Sequence, residues 1–518
     1  MCQELNISEI VNSHIVKGDQ RTLSHGDAVV SMILNGLGFT GMPLYMSPQY
    51  FEDKPISELL GKENIEAENI NDIALGRTLD TIYEYGVSDL FSKIASKAVK
   101  TLGVSSKIGH LDSTAFATHI EKEKESDDGI IEIKKGHSKD YRADLNQIAL
   151  NMIVENRANL PIYLKVCSGN QSDKIEFAEI IEKQIDSLKN DYGIEYIVVD
   201  SALYTKDNIE KLKKEEIYWI TRVPSSRTVV KDIIATVELK QLEKIDDNYS
   251  YMELGSYYHN EKQRWILVHN KMIEYKKHKS TIKKFDRYSQ ADLKAIKKYE
   301  KIKFASQSDA FIALEELKGK LIVSEIEGFE YVEHKRYSKR GKPKKDAKKD
   351  VTEYSLILNV TSGLEKFYEE KKRNGLFVFA TNELNDEMLK SKEILNEYKN
   401  QQKVERGFRF LKDPKFHADS IFLKKPERIA SLLMIMTLSL LVYSALEYKV
   451  RENMKKRGVT FPNQKGKPIS NPTMRWIFQY FYSVVLILFD GDRQLDYFDE
   501  NHEVILECLG DSYWEFYC

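Results

Sequence analysis

Cysteine is scarce: Cys2, Cys167, Cys508 and Cys518 are the four cysteines in 518 residues, and they stand far apart. With no C-x-x-C pair and no histidine at zinc-ligand spacing, a disulfide framework and a cysteine-based zinc site are excluded, and reduced thiols in a cytoplasmic protein are expected. An excess of either charge is also lacking, since 78 Lys and Arg face 80 Asp and Glu, a net charge of −2. That excludes a uniformly basic nucleic-acid coat but not local basic patches, because binding follows where charges cluster. No basic segment leads into an apolar core at the N-terminus, so no secretory leader is expected. Long apolar runs are missing with one exception, residues 429–445 (IASLLMIMTLSLLVYSA). That run sits at the lower limit for a membrane span. Ser431, Thr437, Ser439 and Ser444 punctuate it and Arg428 and Glu447 bound it, so a buried core helix is expected and no membrane.

What is present is a globular balance, 42% hydrophobic and 31% charged, in a length that suits about three domains. Residues 1–105 read as helical, and the runs ISELLG and NDIALGRTLDTIYEYG could pair as a helix-turn-helix. From about residue 106 the period changes. IGHLDSTAFATHI, GIIEIKKG, QIALNMIVEN and LPIYLKVCSG read as strands, followed by a helix, the buried strand EYIVVD, another helix and IYWITRVP. This is a mixed α/β core. Residues 225–370 read as an insertion with a hairpin (YSYMELGSYYH, RWILVHN), a lysine-heavy stretch at 271–303 and a second basic run, KRYSKRGKPKKDAKKD. The two basic runs suit either solvated faces or a polyanion-facing arm. After LFVFATN the chain reads as helical to its end. Gly36-Leu-Gly38-Phe-Thr-Gly41 matches G-x-G-x-x-G, but a helix precedes it and Pro43 and Pro48 follow, so it is a turn and no nucleotide site.

Three acids stand where geometry makes them useful. Asp112 lies within an apolar strand, and Asp200 ends the strand EYIVVD, at the edge where α/β folds place ligands. Asp200 alone also suits an N-cap. Glu405 lies on the predicted helix 391–413, where Tyr398, Gln401, Glu405 and Lys412 share one face within about 60° over about 21 Å. Asp413-Pro414 then ends that helix.

On these residues the chain resembles the DDE-type transposases of bacterial insertion sequences, in the branch with the signature Y-x2-R-x3-E-x6-K. The signature stands here as Tyr398-x2-Gln401-x3-Glu405-x6-Lys412, with Gln in place of the usual Arg. Asp200-Ser201-Ala202-Leu203-Tyr204 is similar to the second-Asp box, and Leu111-Asp112-Ser113-Thr114 to the first. The segments GHSKDYRADLNQ and SGNQSDK also resemble stretches between those boxes. The resemblance covers most of the chain.

It implies an α/β fold: a ribonuclease-H-like mixed-sheet core over 106–224 and 371–450, the latter holding the catalytic Glu helix, with a strand-rich insertion at 225–370. The helical regions 1–105 and 451–518 become candidates for DNA-end binding and dimerisation. Asp112, Asp200 and Glu405, separated by 88 and 205 residues, would be the catalytic acids and the metal ligands. Oxygen donors alone suit Mg²⁺ or Mn²⁺, two ions by resemblance. Tyr398, Gln401, Arg409 and Lys412 would contact DNA, and Gln401→Arg would strengthen end binding. Trp265 is a candidate stacked aromatic, with a core position as the other reading. The implied partners are double-stranded DNA, as terminal inverted repeats and target, and a second copy in a synaptic homodimer. The implied activity is cutting at the element's ends and joining of the 3′-OH ends to target DNA. A catalytically retired DNA-binding descendant and a metal-dependent nuclease without strand transfer are the alternative readings.

Overall fold

The computed structural model describes residues 1–15, 22–38, 42–136, 142, 144–214, 216–258, 261–338, 349–363, 374–413, 423–489 and 492–517. In chain order its main elements begin with helices α1 (Ile7–His14), α2 (His25–Leu37), α3 (Asp72–Tyr85) and α4 (Val87–Leu102). There follow β1 (Ile108–Thr118), β2 (Asn146–Glu155), β3 (Pro161–Ser168), α5 (Asp173–Asn190), β4 (Tyr196–Val199), α6 (Lys206–Lys214) and β5 (Tyr218–Arg222). Next come α7 (Thr228–Thr236), β6 (Tyr249–Tyr258), β7 (Glu261–Asn270), α8 (Lys271–Glu300), α9 (Gln307–Lys320), β8 (Ser324–Arg336), β9 (Val351–Ser362) and β10 (Leu376–Thr381). The last are α10 (Ser391–Asn400), α11 (Gln402–Leu411), α12 (Pro426–Arg457), α13 (Met474–Phe481), β11 (Val485–Phe489), β12 (Asp492–Asp496) and α14 (Glu500–Leu509). The chain divides into two units, one of residues 1–221, 258–261 and 381–518 and the other of 222–257 and 262–380.

In the first unit the strands lie in the order β3-β2-β1-β4-β5. β1 pairs antiparallel with β2 and β2 with β3, whereas β4 runs parallel to β1 and β5 parallel to β4. The central strand β4 is apolar because both faces are covered, and Ile197, Val198, Val199 and Leu111 of β1 have no exposed surface. The long apolar run is the middle of α12, which packs against α2, α3, α4, α11, α13, α14 and β3. It is apolar and long enough to cross a membrane, yet 89% of its most apolar window is buried inside the protein. Its polar residues are satisfied there: the Ser431 hydroxyl donates to the Leu79 carbonyl (2.7 Å), and those of Thr437 and Ser439 to carbonyls one turn back. At its start Arg428 forks onto both oxygens of Asp80, at 2.7 and 2.6 Å.

Several local expectations are corrected. The two N-terminal runs do not form a helix-turn-helix: residues 61–71, with a 3₁₀ turn at Ala67–Asn69, separate the five-residue helix Ile56–Leu60 from α3, and Leu75, Leu79 and Ile82 bury α3 in the core. GIIEIKKG yields a two-residue strand, Glu132–Ile133, paired with Lys124–Glu125. The C-terminal region is not wholly helical, since the apolar run Val485–Phe489 pairs antiparallel with Asp492–Asp496. The glycine turn lies partly, and GHSKDYRADLNQ, the second basic run and Pro414 partly or wholly, outside the described residues.

In the second unit β10, β7 and β6 lie side by side in that order, and β8 and β9 form a long antiparallel hairpin. The unit is not simply strand-rich, because the lysine-heavy stretch is the 30-residue helix α8, opened by the Asn270 side chain accepting from the Ile273 amide. Ile296 of α8 packs with Ala310, Leu314 and Leu317 of α9 and with Leu356 and Leu358 of β9. Trp265 takes the core position, 3% exposed, with its indole N–H on Gln263 Oε1. The Asp292 carboxylate, itself buried, accepts from the amides of Ile322, Val323 and Ser324 and so pins the start of β8 to α8. Burial alone would raise that carboxyl, but the amides outweigh it and hold its pKa below the usual range.

A depressed folded pKa stabilises the protein above the unfolded value near 4 and loses that contribution as pH falls through the folded value. Asp292→Asn is therefore expected to destabilise the second unit by on the order of 2 kcal/mol at pH 7. The gap to wild type should narrow as chemical denaturation is repeated from pH 6 down to pH 3. A gap independent of pH would mean that the charge contributes nothing.

Candidate active site

The parallel ladder of β1 and β4 runs one to one, Ile108 with Tyr196 through Leu111 with Val199. Asp112 is the next residue of β1 and Asp200 the first residue past the end of β4, so this register directs two acids 88 residues apart in sequence to the same edge of the sheet, one step beyond the last ladder pair. Both are half-buried. Asp112 Oδ1 accepts from the Ser113 amide (2.8 Å), and Asp200 Oδ1 from the Ala202 amide (2.8 Å). Asp200 thus is an N-cap, of the 3₁₀ turn Ser201–Leu203, while also standing at the same sheet edge as Asp112. Its carbonyl accepts from the Thr221 hydroxyl at 2.7 Å, which ties β4 to β5. Tyr204, which follows in the same box, is a packing residue: it is buried, stacked on Tyr258 at 4.8 Å and edge-on to Trp219.

The predicted single helix carrying Glu405 is two helices. At Gln401 the amide bonds Tyr398 O, three residues back, and the chain restarts as α11. Gln401 is only 7% exposed, whereas Glu405 is exposed, so the four signature residues do not form one open row. Val404, Phe408 and Leu411 bury one side of α11, which packs on β1, β2 and α12. Gly407 lets the helix pack closely: a Cβ there would lie 3.0 Å from Leu440 Cδ2 and 3.2 Å from Met152 Cε. Met152 is the residue opposite Asp112 in the β1–β2 ladder. Farther along, Lys412 Nζ lies 5.5 Å from the Phe116 ring centre on β1. Tyr398 is half-buried and Arg409 exposed.

A polar cluster, not foreseen from sequence, fixes both helices to the sheet. His110, fully buried two residues before Asp112, has Nε2 3.3 Å from Asn156 Oδ1 and 3.6 Å from Glu397 Oε2. Asn156 donates to Glu397 (2.7 Å), and Lys403 donates to the Asn156 carbonyl (2.6 Å) and to its Oδ1 (3.0 Å). Burial lowers the pKa of the Lys403 ammonium. The cluster joins β1, the β2–β3 turn, α10 and α11. A histidine two places from an acid on an apolar strand was its one trace in the sequence.

Among the described residues no group of three His, Cys, Asp or Glu side chains is placed to hold a metal ion. The β1–β4 register directs Asp112 and Asp200 to one edge of the sheet, and Glu405 lies on α11, which packs on β1 and β2. As a donor set, three carboxylates without imidazole or thiolate fit a hard divalent cation such as Mg²⁺ or Mn²⁺.

The family described as transposase DDE domain matches residues 105–442. The chain belongs to that family. Residues 1–96 of this transposase match a domain of unknown function, DUF4277. A cryo-EM structure of the piggyBac transposase synaptic complex with hairpin DNA is similar at 8% identity and a TM-score of 0.37, covering 93% of this chain and 77% of that one. No curated protein matches.

Burial of Gln401 reverses the expectation for its replacement. Gln401→Arg would force a guanidinium into the break between α10 and α11, and is expected to cost on the order of 2 kcal/mol of stability and to weaken end binding. Thermal unfolding and a binding titration with end DNA check this. Unchanged stability with tighter binding would mean that the side chain reaches DNA after all.

Proposed function

We propose that this DDE transposase cuts DNA at the ends of its insertion sequence and joins the freed 3′-OH ends to target DNA. The observation that carries the reading is the one-to-one register that directs Asp112 and Asp200 to one edge of the sheet, with the Glu405 helix packed against Met152, the ladder partner of Asp112. The antiparallel-then-parallel order β3-β2-β1-β4-β5 supports a ribonuclease-H-like core. The signature around Glu405 supports the insertion-sequence branch, with Gln401 as its departure.

In this reading Asp112, Asp200 and Glu405 would hold two Mg²⁺ or Mn²⁺ ions. When bound, such a pair lowers the pKa of a hydroxyl nucleophile and neutralises charge on the leaving oxygen. The chain's own part is positional. Backbone amides of Ser113 and Ala202 each take one oxygen of an aspartate, which fixes the carboxylate planes without neutralising them. Lys412, Arg409 and Tyr398 hold backbone phosphates of the end: Lys412 as a point charge, Arg409 as a fork and Tyr398 through its hydroxyl. The protein acts in the cytoplasm as a homodimer that holds two element ends.

The test is cleavage of a duplex carrying the gene's own flanking repeats in Mg²⁺, comparing wild type with Asp112→Asn, Asp200→Asn and Glu405→Gln. Each variant is expected to lose on the order of 10³-fold or more in cleavage rate while still binding the repeat. Binding without cleavage by wild type in Mg²⁺ and in Mn²⁺ would replace this reading with a retired DNA-binding protein. Cleavage without joining to target would leave a nuclease.

A further inference from the structure

Helix α8 of the second unit carries ten lysines and arginines, and seven of them gather on one side, with Lys271, Lys277 and Lys284 outside it. At 100° per residue, Lys276, Lys279, Lys283 and Arg287 in its first half and Lys294, Lys297 and Lys298 in its second fall within an arc of about 100°. All seven are exposed. The helix's buried residues, Thr281, Asp292 and Ile296, lie on the opposite side, so the basic stripe faces straight out. The acids of α8, Glu274, Asp286, Asp292 and Glu300, all lie outside the arc. Among the described residues none of the seven is paired with a carboxylate; Lys279 and Arg287 lean on the rings of Tyr275 and Tyr288. Seven cations in a row would repel one another along an isolated helix, which makes the arrangement costly unless an anion meets it.

Length and composition identify the anion. From Lys276 to Lys298 the stripe spans about 33 Å at 1.5 Å per residue, close to one turn of duplex DNA, about 34 Å. Within the arc there is no aromatic residue, so the face offers phosphate contacts but no platform for stacking unpaired bases. We propose that this face of α8 is a sequence-independent seat for the backbone of duplex DNA, separate from the residues of α11 assigned to the element's ends. The proposal deepens the transposase reading and rests on it for the presence of DNA.

The experiment is a fluorescence-anisotropy titration of the full-length protein with a duplex that lacks the terminal repeat, in EDTA, from about 50 to 200 mM salt. The triple variant Lys276→Gln, Lys283→Gln, Lys294→Gln should flatten the slope of log K against log salt by roughly 2–3 and weaken binding at least about tenfold at 0.1 M salt. The control triple Lys240→Gln, Lys318→Gln, Lys320→Gln removes lysines already paired with Glu238, Glu315 and Glu316, and should leave the slope unchanged. An unchanged slope in the first triple, an equal change in both, or equally tight binding of a single strand or of polyglutamate would overturn the proposal. Cutting is never measured in this assay. Failure of the strand-cutting reading therefore leaves its result standing, and intact cutting with an unchanged slope removes the seat alone.

Discussion

The register between β1 and β4 is the constraint on which the site depends. A one-residue slip would turn Asp112 to the other face of the sheet and part it from Asp200. Buried side chains hold that register on both faces, and Gly109 contributes by being small. A Cβ at Gly109 would lie 3.2 Å from both Ile153 Cγ2 and Ile197 Cδ1, and Ile197 is its ladder partner. The isoleucines thus fill the space over Gly109, and the acids follow three residues on. The third acid depends on the same ladder, since α11 packs closely at Gly407 against the methionine that pairs with Asp112.

The strands of the core were legible because a buried strand writes itself as a short apolar run, and Asp200 stands out because it closes one, whereas Asp112 lies inside β1. α12 was legible for the same reason, its few hydroxyls being of the kind that can bond backbone carbonyls within a core. What stayed hidden came from tertiary contacts. Nothing in the spacing from Tyr398 to Lys412 announces a break, because helical periodicity runs straight through it. The break follows from the ties of Glu397 and Lys403 to Asn156 on either side of Gln401. The lysine-heavy stretch gave no apolar period because α8 buries little beyond Thr281, Asp292 and Ile296. Its charge pattern becomes intelligible only once the buried side is known.

The His110–Asn156–Glu397–Lys403 cluster is a buried polar network, and such networks favour a single arrangement over near alternatives because each unpaired member is expensive. Here the members come from β1, the β2–β3 turn and both helices that flank Gln401. A sliding motion of α11 along the sheet would strand Lys403 from the Asn156 carbonyl. Hydrophobic packing at Val404, Phe408 and Leu411 alone would tolerate such a slide far better. The network therefore sets the position of Glu405 along β1, although none of its members is an acid of the candidate site.

The long gap between the second and third acids is reconciled with this precision at one asparagine. The chain leaves the first unit after Thr221, re-enters it briefly at Tyr258–Glu261 and returns at Thr381. There Asn382 bonds β5 twice over, accepting from the Trp219 amide (2.8 Å) and donating to the Ile217 carbonyl (2.9 Å), much as a strand residue would. Beside it the Tyr196 hydroxyl donates to Glu383 at 3.2 Å. With departure and return fastened to the same strand, the excursion between them adds little conformational cost to the core, since loop entropy grows only slowly with length. Within the first unit, Asn382 at the return, the Asn156 network and the close packing at Gly407 together position the helix of Glu405.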